Sequence, residues 1–136
     1  MRWARLRLGK TRIRFGYAYQ KLLYQNELIA LGTDFPIENI SPIETFYAAV
    51  ARKNKNGMPK NGFQIENALS RWETLKGMTI WAALSNFEEQ DKGSLEVNKL
   101  ADFIILDRNI LTVPEDEILK TQVKATYING ELVYKQ

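Results

Sequence analysis

The chain has neither histidine nor cysteine in its 136 residues. Without histidine it lacks the commonest general base near neutral pH, the commonest zinc ligand, and any partner for a serine or cysteine nucleophile. Without cysteine there are no disulfides and no thiol chemistry, though this alone does not fix the compartment. Chemistry done by this chain alone must therefore use carboxylates, lysines, tyrosines or backbone groups. Long apolar runs are missing as well, and none approaches the roughly 20 residues of a membrane span. The opening residues lack the apolar centre of a secretory signal. The expectations are no membrane role and a cytoplasmic location.

Acidic residues are absent from the first 26 positions, which carry Arg2, Arg5, Arg7, Lys10, Arg12, Arg14 and Lys21. The remaining positions hold 12 basic and 16 acidic groups, so the formal charge of +3 conceals a basic arm ahead of an acidic body. Such an arm suits an anionic surface or an acidic stretch of another polypeptide. It has no aromatic stacking platform or known motif, so nucleic acid is the minority reading. Its composition also matches an organelle transit peptide, but it merges into a periodic helix too early to be removable.

What is present is ordinary for a folded domain: 45% apolar and 26% charged residues, in a chain long enough to bury a core. Ile13, Tyr17, Tyr19, Leu22 and Leu23 follow a helical period and predict an amphipathic helix over 10–24. Residues 27–31 read as a short apolar strand of the kind buried in a parallel sheet. Ser41-Pro42-Ile43-Glu44 is a helix start, with a capping serine, a first-turn proline and a glutamate placed to close a capping box; the helix is expected to reach about Lys53. Residues 54–62 form a polar loop rich in glycine and proline. Ser70-Arg71-Trp72-Glu73 repeats the capping pattern, and Gly77 is expected to break or bend the helical region that it opens. After Gly93 the period changes. Residues 101–107 read as a strand, residues 114–117 as one helical turn, and Asn129-Gly130 as a hairpin turn between two further strands. A lone apolar strand between helices needs parallel neighbours that the first hundred residues do not supply.

Asp34 stands out, because it ends the apolar stretch between Gly32 and Pro36. Read from spacing alone, it serves either as a turn residue that satisfies nearby backbone amides or as a catalytic carboxylate, with the turn favoured. Thr33 and Glu38 beside it read as loop residues. Arg52 ends a helix, where a cation suits the dipole. Phe46, Tyr47, Trp72 and Trp81 read as packing residues. Asp102 and Asp107 bracket a strand as turn or edge residues, and Glu115, Asp116 and Glu117 read as a solvated helix start.

Six stretches, in order, carry a family resemblance. They are Gly32-Thr33-Asp34-Phe35-Pro36, residues 46–52, residues 78–83, Gly93-Ser94-Leu95-Glu96, residues 99–107 and residues 126–131. Together they make the chain resemble the C-terminal end of the amidohydrolase superfamily, in the branch that includes N-substituted formamide deformylase. The resemblance implies a mixed α/β piece of a larger fold: the last strand and helices of a (β/α)8 barrel, followed by strands of a small β-sandwich. Residues 1–92 then belong to the incomplete barrel and residues 93–136 to the sandwich. It also implies hydrolysis of non-peptide C–N bonds, with zinc or another divalent metal in the intact family. Asp34 takes the place of the family's catalytic aspartate, which contacts that metal and accepts a proton from its bound water. Arg52 falls where the family has an arginine and is a candidate for contact with substrate.

The family's histidines have no counterpart here, and Asn98 replaces the usual glycine before Lys99. The expectation is that Asp34 meets a metal only with ligands from outside this chain, and that the chain alone holds no cofactor and is inactive. The expected partners are a second copy or the missing N-terminal part of the barrel, as in a split hydrolase. A different class of function stays open, in which a chain without catalysis uses its apolar surface and basic arm for binding.

Overall fold

The computed structural model describes residues 2–136; Met1, and the side chain of Arg2 counted in the basic arm, lie outside the described part. The order is five helices and then three strands. α1 (Arg2–Arg12) is bent at Gly9, whose φ of 69° and ψ of 179° lie outside the helical region; glycine tolerates such a conformation because it has no Cβ. A 3-10 turn at Ile13–Phe15 leads to α2 (Tyr19–Asn26). The continuous helix expected over 10–24 is therefore broken, at Gly16 and Tyr17, where Tyr17 adopts a φ of 59°. Of the five residues in that apolar period only Ile13 and Leu23 are buried, while Tyr17 and Leu22 are exposed.

α3 (Pro42–Ala51) starts as its sequence predicts: Ser41 Oγ accepts from the Glu44 amide and Pro42 occupies the first turn. The expected capping box is only half formed, because Glu44 accepts from the Asn39 side chain instead. α4 (Arg71–Met78) has the complete box between Ser70 and Glu73. α5 (Ile80–Ser85) begins after a break at Thr79, two residues beyond the expected Gly77.

β1 (Phe103–Leu106), β2 (Val123–Ile128) and β3 (Glu131–Lys135) form one antiparallel sheet in the order β1-β2-β3. Asn129-Gly130 makes the turn between β2 and β3, both residues at positive φ, as that hairpin type requires. Residues 115–120, between β1 and β2, form a 3-10 helix. The chain is thus mixed α/β, and among the described residues the only sheet is this antiparallel one. Residues 27–31, expected as a strand, form none: Glu27 is the left-handed cap of α2, and 28–31 have no sheet partner among the described residues. A strand is defined by its neighbours, and the parallel neighbours this stretch suits are absent. Among the described residues, no helix is long and apolar enough to cross a membrane.

Two apolar clusters meet on α3. Phe46, Tyr47 and Ala51 pack with Ile110 and Ile118 from the segment between β1 and β2. Ala49 packs with Leu23 and Leu69, with Tyr19, Ile29, Leu31 and Trp81 against them. Trp72, expected to pack, is 62% exposed.

Asp102 and Asp107 tie the ends of β1 to β2. Asp102 Oδ1 accepts from the Asn129 amide at 2.7 Å, and Asp107 Oδ1 from the Gln122 amide at 2.9 Å. Arg108 also donates to both Asp107 oxygens. The Arg108 hydrogen bonds first, and the Gln122 amide second, lower the Asp107 pKa to about 2. A carboxylate whose folded pKa is depressed contributes stability above its unfolded pKa and loses it as pH falls through the folded value. Urea unfolding between about pH 4 and pH 2 is therefore expected to show a stability loss that is smaller in Asp107→Asn. Equal pH dependence in the two proteins would contradict this.

Candidate active site

The segment leading to Asp34 lies against α4 and the second apolar cluster. Ile29 and Leu31 pack on that cluster, and the Leu31 amide donates to the Gly77 carbonyl at 2.9 Å. The approach is close enough to need a glycine. A Cβ built on Gly77 would lie 2.8 Å from the Ile29 carbonyl oxygen and 2.9 Å from Leu31 Cδ1 and Cγ. Gly77 thus sets how near this segment can come to α4, a role hidden in the sequence, where it looked like a helix breaker.

Beyond Leu31 the chain turns sharply. Asp34 has a φ of 56°, a conformation that aspartate tolerates better than most residues. Its carbonyl accepts from the Ile37 amide at 2.8 Å, and Thr33 Oγ1 accepts from the Phe35 amide at 3.3 Å. The turn is therefore held by the Asp34 backbone and the Thr33 side chain. The Asp34 carboxylate faces solvent and has no hydrogen bond or ion pair among the described residues. Phe35, Ile37 and Ile40 are also exposed, at 61%, 77% and 63%. Sequence reasoning missed this apolar rim, although three large apolar side chains within six residues of an expected loop were a signal for it.

Arg52, the candidate for substrate contact, is held by backbone acceptors. It is 1% exposed and caps α3 in a left-handed conformation. Its Nε donates to the Phe63 carbonyl at 3.0 Å and its terminal nitrogen to the Tyr17 carbonyl at 2.9 Å. The guanidinium also lies over the Tyr19 ring at 5.0 Å and the Phe63 ring at 5.8 Å. Burial lowers its pKa, against smaller opposing effects from Tyr19 and Glu66. No hydrogen bond or ion pair joins Arg52 to Asp34 among the described residues. Glu38 is exposed, Glu115 pairs with Lys53 at 2.7 Å, and Glu117 bridges Arg108 and Lys120.

A carboxylate in this position can accept a proton or contribute one oxygen to a cation. It cannot make a metal site by itself. Among the described residues no group of three or more histidine, cysteine, aspartate or glutamate side chains is placed to hold a metal ion. A zinc centre needs three or four such donors. The donor set of this chain does not fit a resident catalytic metal.

Residues 1–134 match the family described as "Amidohydrolase family". The chain belongs to the amidohydrolase family. It is 36% identical over 134 residues to Protein LONG AFTER FAR-RED 3 of Arabidopsis thaliana, covering 94% of this chain and 22% of that protein. It is 32% identical over 108 residues to N-substituted formamide deformylase of Arthrobacter pascens, covering 79% of this chain and 19% of that enzyme. The crystal structure of an amidohydrolase from Thermotoga maritima superposes with a TM-score of 0.57 at 26% identity, over 88% of this chain and 26% of that one. This amidohydrolase chain therefore spans about a fifth to a quarter of the length of these relatives.

The Gly77 contact generates a direct test. Gly77→Ala is expected to destabilise the chain by about 1–3 kcal/mol, the usual cost of overpacking, in urea unfolding. The Leu31 amide should also lose hydrogen-exchange protection. Unchanged stability and protection would mean that the segment is not held by this approach.

Proposed function

We propose that this chain is the C-terminal segment of a metal-dependent hydrolase acting on non-peptide C–N bonds of amide type, and that Asp34 is its contribution to the active site. The observation that carries the proposal is the unpartnered, solvent-facing Asp34 carboxylate, on a turn anchored through Leu31 to Gly77, within a family match over residues 1–134. Residues 1–92 are assigned to the end of the barrel domain, with 27–31 as its last strand once neighbours are present. Residues 93–136 are assigned to the sandwich.

In this reading Asp34 is a general base that takes a proton from the attacking water, a role that needs a carboxylate within reach of that water. The described residues of this chain do not by themselves assemble a metal site. The histidines come from outside residues 1–136, either from a separately encoded partner or from the remainder of a longer protein. Arg52 supports this reading from a distance, by fixing the C-terminal end of α3.

Pure chain supplied with zinc or manganese is expected not to hydrolyse an N-substituted formamide. Adding the histidine-bearing remainder of a family hydrolase is expected to restore turnover, and Asp34→Asn to lower it by about 10²–10⁴-fold, the usual share of a general base. Hydrolysis by the pure chain would overturn the inactivity. Restored turnover that is indifferent to Asp34→Asn would overturn the role of Asp34.

A further inference from the structure

The acid-free start of the chain carries two sets of apolar side chains. One set turns inward. Ile13, Ala18 and Leu23 are buried, and a Cβ built on Gly16 would lie 3.5 Å from Ile13 Cδ1 and 3.6 Å from Leu8 Cδ1, so α1 folds back on the 3-10 turn. The other set is left outside. Leu6, Phe15 and Tyr24 are 72%, 70% and 89% exposed, and Leu22 is exposed as well. The inward set explains how the arm is held to the body; it does not explain the outward one.

The outward set stands among cations. Arg5, Arg7, Lys10, Arg12, Arg14 and Lys21 are all exposed. Arg12 and Arg14 each donate through Nε to a carbonyl of their own helical stretch, those of Leu8 and Thr11. Arg5, Lys10, Arg12, Arg14 and Lys21 form no ion pair among the described residues. Arg14 Cζ and Lys21 Nζ each lie 5.8 Å from the centre of the Phe15 ring, and Lys21 and Tyr24 line one shallow depression with Glu66. Arg14, Phe15, Lys21 and Tyr24 thus make one continuous patch of cations and aromatic rings, with Glu66 beside it as an opposing charge.

Cations that meet headgroup phosphates, next to apolar side chains that enter the acyl boundary, hold a protein on an anionic bilayer. Lying on a surface needs no spanning run, so the expectation of no membrane role, drawn from the lack of such a run, does not cover this case. Nucleic acid fits the patch less well. Leu6 and Leu22 offer bases nothing to stack on, and the Phe15 ring is already met by two cations, whereas strand binding relies on stacking platforms.

We propose that α1, the 3-10 turn and α2 form a basic, aromatic surface that binds anionic phospholipid bilayers. The contact is independent of the hydrolase reading.

Co-sedimentation of the full chain with lipid vesicles tests this. The chain is expected to pellet with vesicles of mixed phosphatidylcholine and phosphatidylglycerol, to stay in solution with phosphatidylcholine alone, and to be released by high salt, which screens the attraction. Arg12→Gln, Arg14→Gln and Lys21→Gln together are expected to weaken binding on the order of 100-fold, at roughly fivefold per charge. Phe15→Ala with Tyr24→Ala should weaken it by about tenfold or more through lost apolar burial. Arg12→Lys with Arg14→Lys keeps the charges and removes the guanidinium hydrogen bonds, and is expected to bind as the native chain does. The proposal is overturned by absence of binding to the anionic vesicles, by equal binding to neutral ones, by indifference to either weakening set, or by loss of binding in the lysine pair. Displacement from the vesicles by a single-stranded oligonucleotide that binds the chain more tightly would also overturn it, with nucleic acid as the occupant.

Discussion

The guanidinium of Arg52 lies almost entirely out of water, bound to the Tyr17 and Phe63 carbonyls and stacked over two rings. A buried charge is tolerated only when its donors are satisfied, and leaving a buried donor unpaired costs about 1–3 kcal/mol, more when it is charged. One side chain therefore fixes three places: the break before α2, the C-terminal end of α3 and the loop around residue 63. With α3 held, Phe46, Tyr47 and Ala51 can support one apolar cluster and Ala49 the other. The second cluster carries Ile29 and Leu31, which lead to Asp34. The candidate catalytic residue thus depends on a buried cation with which it has no hydrogen bond or ion pair.

The parts legible in the sequence were those written in short-range chemistry. Ser70 and Glu73 form the box their spacing predicts, Asn129-Gly130 makes the hairpin turn, and Asp102 and Asp107 act as edge residues of β1. The parts that were not legible depend on distant neighbours. The apolar stretch 27–31 has the composition of a strand but lacks strands to pair with. Gly77 looked like a breaker and is a contact surface. Arg52 suited a helix terminus, yet nothing local announced that Tyr17, 35 residues away, would supply an acceptor. Asp34 is a candidate site residue only through the resemblance, since its turn geometry is equally that of an ordinary loop aspartate.

The same split explains the surface. A chain that spans about a fifth to a quarter of its relatives' length keeps side chains suited to neighbours that it does not itself contain. Phe35, Ile37 and Ile40 beside Asp34, and Ile104, Ile128 and Val133 on the sheet, are exposed, and the proposed reading assigns them to such neighbours. Exposed apolar patches of this kind mark contact sites. The acid-free stretch at the start of the chain adds a cationic surface near α1 and α2. In the proposed reading the chemistry is shared in the same way, with the Asp34 carboxylate supplied by this chain and the nitrogen donors supplied from outside it.

Asp34 is, in this reading, one part of a site whose remaining donors lie outside this chain. Zinc content after equilibrium dialysis of the pure protein tests that most directly, with Asp34→Asn dialysed in parallel. The expected result is no stoichiometric zinc in either protein. A stoichiometric zinc ion retained by the native chain and lost in Asp34→Asn would contradict it, because the chain would then complete the metal site without histidine.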